Sequence, residues 1–355
     1  MRGKDNTIQF EHLSYEAFLR IFHEEDTAIK YVEAIRWPDG IVCPKCNSRR
    51  IVEDNSPKRR HWCSSCRRHF TVRYGTMMHK SRLPMGIWLY VTYEMLISRN
   101  GISSWEIYRR TGVSQKHAAR LLHKIRHAMG DENNPDKRIL CGIIEVDEMY
   151  HGGRNKNKHG DKKLSFAEAS AAKMHHVGFV ERATGRRILV HVKHIDQSVI
   201  QDLFLQHIEL DSTICTDESK LYKRIEPLYN RLSVNHSHKS YVDGHAHTNT
   251  IESTWGRVSK DYIGTYTSYT HMYAQLYLNE IAYRQSYAKV KNGINANMDA
   301  LMSRLLHTPY KSYKQIQELY GSMRYNPPDR QRYALHSFEC YSNASAPVSI
   351  PAGPG

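Results

Sequence analysis

The sequence predicts an α/β protein in which a mixed-sheet core follows a cysteine-rich ribbon and a helical segment of helix-turn-helix proportions. Three observations lead there. Two Cys-x-x-Cys pairs, Cys43/Cys46 and Cys63/Cys66, stand sixteen residues apart. Residues 84–129 carry apolar side chains at helical spacing. From 143 onward, short apolar runs of period two alternate with helical stretches.

Taken in order, residues 1–36 read as helical, with Phe18, Leu19, Phe22, Ala28, Tyr31, Val32 and Ile35 recurring on one side. Trp37-Pro38-Asp39-Gly40 breaks that pattern. Residues 37–78 form the ribbon. Pro84 opens a helix that Asn100-Gly101 ends. Ser103-Ser104-Trp105-Glu106 supplies an N-cap with a capping Glu, Thr111-Gly112-Val113 a tight turn, and Ser114 the cap of a helix through Ala128. The polar stretch 131–138, with Pro135, is a linker. Strands are expected at Ile143–Met149, His176–Arg182, Arg187–His194, Thr213–Thr216 and Arg231–Asn235, with a hairpin turn at Thr184-Gly185-Arg186. Helices are expected at Gln197–Ile208, Glu218–Leu228 and over most of 248–320. The domains are thus 1–36, 37–78, 79–135, 136–325 and a tail at 326–355.

Composition narrows the function. The chain has 355 residues, 40% of them hydrophobic, enough for a sizeable core and against wholesale disorder. Fifty-one Lys and Arg against 36 Asp and Glu leave +15, which favours a polyanionic partner. Seven cysteines, three of them scattered (Cys141, Cys215, Cys340), do not make an oxidised framework. The N-terminus lacks a signal-peptide pattern. The most apolar stretch, Ile87–Ile97, is too short to span a bilayer and contains Glu94. The expectation is a soluble, intracellular protein with no membrane partner.

Each Cys-x-x-Cys turn aims two sulfurs at one point, and two such turns complete a tetrahedron around Zn²⁺. Four thiolates leave no open position, so this zinc is structural. Arg49, Arg50, Lys58, Arg59, Arg60, Arg67 and Arg68 surround the cysteines, with His61, Trp62, His69 and Phe70 interleaved. That loading suits DNA phosphates. In the helix after Ser114, Gln115 and Arg120 are placed to read base edges and Lys116 to contact phosphate.

Three acids carry the chemistry. Ile143-Ile144-Glu145-Val146-Asp147-Glu148 alternates apolar and acidic residues, which puts Glu145 and Asp147 on one face and Ile144 and Val146 on the other. Ile214-Cys215-Thr216-Asp217 is a second strand ending in an acid, and Glu252 sits near the start of a helical run. Asp147, Asp217 and Glu252 converging on one sheet edge suit a pair of Mg²⁺ or Mn²⁺ ions, whose hard charge prefers oxygen, for phosphoryl transfer.

These strings resemble the DDE transposases of bacterial insertion sequences, specifically the ISXO-like group with an N-terminal zinc ribbon. The residues that carry the resemblance are Glu145–Gly153 and Asn155–His159, Thr216-Asp217-Glu218, Asn235-His236-Ser237, His247–Trp255, Lys260, Gly264-Thr265-Tyr266 and Tyr277-Leu278-Asn279-Glu280. It covers about residues 40–288. It implies a ribonuclease-H-like core with Asp147, Asp217 and Glu252 as metal-binding acids and Lys260 as the downstream basic residue. Some members have Asn at the third position; this chain has Glu252, with Asn249 one turn earlier.

Around that core, Glu148 and Glu218 are expected in supporting roles, since neighbours on a strand face opposite sides. His236, His245 and His247 precede Glu252 and suit either a phosphate or a surface hydrogen bond. Arg154, Lys156 and Lys158, in the basic loop after the first strand, are expected to ride along DNA. Trp255 is expected in the core. The tyrosines of 262–277 lack the flanking Arg/His/Arg set of a tyrosine recombinase. The function expected is transposition: binding of terminal inverted repeats, metal-dependent cleavage and strand transfer into target double-stranded DNA, by a homo-oligomer in a synaptic complex. The alternatives are a non-catalytic, transposase-derived DNA-binding regulator and a metal-dependent nuclease or resolvase.

Overall fold

The computed structural model describes residues 10, 13–56, 59–134, 139–152, 165, 173–234, 247–287 and 293–321. They belong to two compact units. One takes in the described residues of Met1–Lys137, Arg187–His191 and Ser253–Met323; the other, those of Arg138–Arg186 and Val192–Glu252.

The first unit is mainly helical. Helices α1 (Tyr15–Ile21) and α2 (Glu25–Arg36) replace the single helix expected before Trp37, with a break at Phe22–Glu24 that no Gly or Pro signals. Strands β1 (Ile51–Val52), β2 (His61–Cys63) and β3 (Arg68–Phe70) form an antiparallel ribbon sheet. Helix α3 (Met85–Ile97) begins after Pro84 and is apolar almost all round, and it is accordingly buried almost all round. Trp88, Leu89, Val91 and Met95 are fully enclosed, each contributing about 1.5–3 kcal/mol of hydrophobic stabilisation. Helix α4 (Ser104–Thr111) is capped by Ser103, whose hydroxyl accepts the Glu106 amide, and it closes on Gly112 in the left-handed region (φ 71°). Helix α5 (Gln115–Met129) follows at once.

In the second unit, β4 (Ile143–His151) pairs antiparallel with β5 (Met174–Glu181) and parallel with the strand Thr213–Asp217. Strands β6 (Arg187–Val192, of which Arg187–His191 belongs to the first unit), β7 (Thr213–Asp217) and β8 (Asn230–Val234) complete the sheet, in the order β6-β5-β4-β7-β8. This mixed α/β arrangement is that of the expected ribonuclease-H-like core. Helix α6 (Gln197–His207) leads into β7 and is capped by Asp196, whose carboxylate accepts the Ser198 and Val199 amides. Phe179 of β5 meets Phe204 of α6 edge-on at 5.6 Å, and Tyr229 closes on the same ring at 5.5 Å.

The helix expected at Glu218–Leu228 is instead one 3₁₀ turn, Lys220–Tyr222, followed by turns. Ser219 caps it through the Leu221 amide. Pro227 lacks an amide and disfavours helical backbone at Glu226, so the apolar spacing cannot propagate.

The C-terminal helices are α7 (Asn249–Lys260), α8 (His271–Tyr287), α9 (Gly293–His307) and α10 (Tyr313–Gly321). Leu276, Tyr283, Met298, Leu301, Met302, Leu305, Ile316 and Tyr320 from the last three join the core around α3 and α5. Inside this unit Arg126 Nε lies 2.6 Å from Glu280 Oε2, both side chains sealed from water. The Arg126 guanidinium stands over the Tyr277 ring at 4.1 Å, and the Tyr266 hydroxyl donates to Glu280 Oε1 at 2.8 Å. These tyrosines therefore serve a buried charge cluster. Gly101 (φ 78°) is required beside it, because a Cβ there would come within 1.9 Å of the Tyr266 hydroxyl.

Candidate functional site

The acidic site is built on sheet register. Parallel strands β4 and β7 pair Ile143 with Thr213, Ile144 with Ile214 and Glu145 with Cys215. Continuing that constant offset brings Asp147 level with Asp217, the last residue of β7. Neighbouring strands lie about 4.8 Å apart, and residues level with one another share a face. Both aspartates are half-buried, whereas Ile144 and Val146, on the opposite face, are sealed. After β4 the chain turns to β5 on one side of the sheet, and after β7 to β8 on the other. Asp217 thus ends β7, and Asp147, in the middle of β4, lies just past the stretch over which β4 and β7 pair in parallel, beside a switch point of the kind where open α/β sheets leave a crevice.

Glu148 registers their combined field. The Tyr222 hydroxyl donates to its carboxylate. Burial first, and then the charges of Asp147 and Asp217, push Glu148 up to about 7, against the lowering effect of that hydrogen bond. The fully enclosed Tyr222 hydroxyl is driven well above its ordinary value by burial and then by Glu148, Asp147 and Asp217. Arg231 secures the far side, donating to the Asp217 carbonyl at 2.7 Å and to the Thr216 hydroxyl at 2.9 Å.

Glu252 is exposed in the first turn of α7, and its carboxylate accepts the Thr248 hydroxyl at 2.8 Å. That turn is held by Glu145 of β4. Glu145 Oε2 accepts the amides of Thr250 at 2.8 Å and Ile251 at 3.0 Å, as an N-cap side chain does. Glu145 and Asp147 are separated by one same-face step of strand, about 7 Å. The carboxylates of Asp147, Asp217 and Glu252 are not drawn as tight as a filled metal shell. Among the described residues, the group of potential ligands whose atoms all lie within 4.8 Å is the four cysteines. Lys260 is exposed in the last turn of α7, about 12 Å of helix rise from Glu252. With Ser253, Gly256, Arg257 and Gln285 it lines an open cleft of about 260 Å³.

In the ribbon, Cys43 Sγ lies 3.7 Å from Cys66 Sγ, and Cys46 Sγ lies 3.6 Å from Cys63 Sγ. These spacings are far too long for disulfides. They match the edge of about 3.8 Å of a sulfur tetrahedron with Zn–S near 2.3 Å. The donor set and its geometry fit structural Zn²⁺. Glu33 of α2 braces the ribbon: its carboxylate accepts Arg59 Nε at 2.7 Å and lies 2.8 Å from His61 Nε2, all three side chains buried.

Arg59 is therefore a correction to its expected place on the DNA-facing surface; Glu33 claims its guanidinium in the interior. Arg60, Arg67 and Arg68 are exposed. On α5, Lys116 is exposed. Gln115, expected to face bases, donates from Nε2 to the Ser104 hydroxyl at 2.9 Å, tying α5 to α4. Arg120 is half-buried, its guanidinium 5.4 Å from the Tyr313 ring centre. Lys58, Arg154, Lys156, Lys158, His236 and His245 lie outside the described residues. His247 Nδ1 stands 3.2 Å from Glu145 Oε1 without hydrogen-bond geometry, and Trp255 is buried, as expected. Among the described residues no helix is long and apolar enough to cross a membrane.

Sequence reasoning missed Arg182 and Tyr222, and placed Glu145 only by strand parity. The partner of Glu145 lies 105 positions away, and no local pattern announces it. The one available signal was an acid two residues before Asp147 on the same strand face, in an apolar run where a buried strand would not be expected to carry one without a partner.

Comparison with known proteins gives three findings. Residues 139–286 match the ISXO2-like transposase domain, and residues 23–69 match the transposase zinc-ribbon domain. A relative described as an uncharacterized protein in transposable element ISH50 of Halobacterium salinarum is 26% identical over 247 residues, spanning 66% of this chain and 82% of the relative. Among solved structures, the cryo-EM structure of a simian T-cell lymphotropic virus intasome in complex with PP2A regulatory subunit B56 gamma aligns at 13% identity over 64% of this chain and 74% of that one, with a TM-score of 0.23.

Proposed function

We propose that this chain, whose residues 139–286 match the ISXO2-like transposase domain and residues 23–69 the transposase zinc-ribbon domain, is an insertion-sequence transposase and a DDE-type enzyme. It binds the terminal inverted repeats of its element, cleaves a phosphodiester there and joins the freed end to target DNA. The observation that carries this reading is the β4/β7 parallel register, which, continued two residues past Glu145 and Cys215, sets Asp147 in the middle of β4 level with Asp217 at the end of β7.

Asp147, Asp217 and Glu252 present only oxygen, a donor set that fits Mg²⁺ or Mn²⁺ rather than zinc. Bound by these three acids, a pair of such ions supplies Lewis-acid stabilisation of the attacking and leaving oxygens. The chain's own residues do the rest. The two strands carry the aspartates without flexible spacers, and Glu252 is carried by the first turn of α7, which Glu145 ties to β4. Tyr222 fixes the orientation of Glu148, the acid next to Asp147. Lys260, on an exposed helix end, meets a backbone phosphate. Arg60, Arg67 and Arg68 of the ribbon and Lys116 of α5 grip the repeat, and Arg154, Lys156 and Lys158, which follow β4 in the sequence, add further phosphate contacts. Two element ends have to be joined in one event, which calls for a homo-oligomer working in the cytoplasm, on the nucleoid.

A purified-protein assay on terminal-repeat DNA with Mg²⁺ tests this. Nicking that leaves a 3′-hydroxyl, followed by joining to a second duplex, is the expected result, with both steps lost in Asp147→Ala and Asp217→Ala. Cleavage that survives either substitution rules the site out.

A further inference from the structure

We propose that Glu145 is a positioning residue for the acidic site, acting through the first turn of α7 and touching neither metal nor substrate. The inference rests on the reading of Asp147, Asp217 and Glu252 as metal-binding acids. Glu145 shares a strand face with Asp147, yet its side chain is wholly enclosed and its oxygens are already taken. Oε2 accepts the Thr250 and Ile251 amides at 2.8 and 3.0 Å. Oε1 accepts Arg182 Nε at 2.7 Å and the Thr250 hydroxyl at 3.1 Å. A second arm of Arg182 donates to the His247 carbonyl at 2.5 Å, so the same pair also holds the chain as it enters the helix.

The first turn of a helix has free amides that its own N-cap side chain ordinarily satisfies. Here a carboxylate from β4, 105 residues away, does so, which ties the turn to the strand that carries Asp147. Glu252 follows Ile251 directly, so any displacement of the turn passes to its carboxylate. Mg²⁺ requires oxygens at about 2.0–2.1 Å in near-octahedral geometry, and a shift of an ångström removes a ligand. Arg182 cancels the charge of Glu145, so this acid adds little pull of its own on a cation. Its contribution is geometric.

The test is Mn²⁺ binding to the full-length, zinc-loaded protein without DNA, followed by electron paramagnetic resonance. Asp147→Asn sets the scale by removing a ligand. Glu145→Gln keeps the size, but its amide cannot accept from both groups of donors. It is expected to weaken Mn²⁺ binding by about tenfold, the range for residues that orient a ligand, while leaving metal-free DNA affinity unchanged. A folded E145Q with wild-type Mn²⁺ affinity overturns the proposal. Should E145Q not fold, Thr250→Val carries the test, since it deletes one contact to Glu145 and leaves the backbone amides in place. Weaker Mn²⁺ binding in T250V supports the proposal and wild-type binding overturns it. If Asp147→Asn and Asp217→Asn both leave Mn²⁺ binding intact, the acidic-site reading itself fails, an outcome distinct from failure at Glu145 alone.

Discussion

Replacing Glu148 with Gln should stabilise the second unit at alkaline pH and not at acid pH. Glu148 is pushed up to about 7 from an ordinary 4.5, by burial first and then by Asp147 and Asp217. Between those values the folded protein holds a proton that the unfolded chain releases. Stability is therefore highest below 4.5, falls as pH rises, and has lost its full share above 7. A displacement of that size corresponds to roughly 3 kcal/mol at full strength. Glu148 is half-buried, and solvent screening reduces this to about 1–2 kcal/mol. Gln keeps the carbonyl that accepts the Tyr222 hydroxyl and never ionises. All five tryptophans (Trp37, Trp62, Trp88, Trp105, Trp255) lie in the first unit, so their fluorescence reports on the other half of the molecule. The suitable assay is hydrogen exchange of β4 and β7 peptides in zinc-replete, magnesium-free buffer at pH 5 and pH 8. Slower exchange of E148Q at pH 8, shrinking toward equality at pH 5, is the expected result. Equal exchange at pH 8, or a gain that does not change with pH, would show that burial and the charges of Asp147 and Asp217 do not hold the proton on Glu148.

Three further outcomes follow from the structure. Glu280→Gln leaves the Arg126 guanidinium sealed without its anion, while Arg284, which Glu280 also faces, keeps Asp261; it should cost about 3–5 kcal/mol in urea unfolding, and a loss under about 1 kcal/mol would refute the ion-pair reading. Stripping zinc, or Cys43→Ser, should open the ribbon to proteolysis between residues 40 and 70 while α3 remains protected, because each knuckle supplies half of the tetrahedron. Arg67→Ala or Arg68→Ala should weaken binding to every duplex sequence and lower the salt slope by about one, while Arg59→Ala should destabilise the ribbon and leave the slope unchanged, since its charge is paired with Glu33.

Features that depend on short spacing were legible in the sequence. The Cys-x-x-Cys knuckles, Pro84 opening α3, the Ser103 cap and Gly112 between α4 and α5 each follow from residues within a few positions of one another, and all stand where expected. Strand parity also placed Glu145 and Asp147 on one face. What was not legible is long-range. The β4/β7 register depends on pairing across seventy positions, and the capping of α7 by Glu145 across 105. Arg59 looked like its basic neighbours because the sequence does not say that Glu33, in the preceding helix, lies beneath it. The 218–228 segment had helical spacing of apolar residues, but Pro227 and the buried Tyr222 anchor it as turns.

The most direct test of the central claim is a metal-specificity switch at Asp217. Replacing it with Cys exchanges an oxygen ligand for a soft sulfur that Mg²⁺ rejects and Mn²⁺ accepts better. Strand cleavage of terminal-repeat DNA by D217C should vanish in Mg²⁺ and return in part in Mn²⁺, with DNA binding unchanged in both. Cleavage by D217C at the wild-type rate in Mg²⁺ would mean that Asp217 holds no metal during the reaction, and that Asp147, Asp217 and Glu252 are not the catalytic centre.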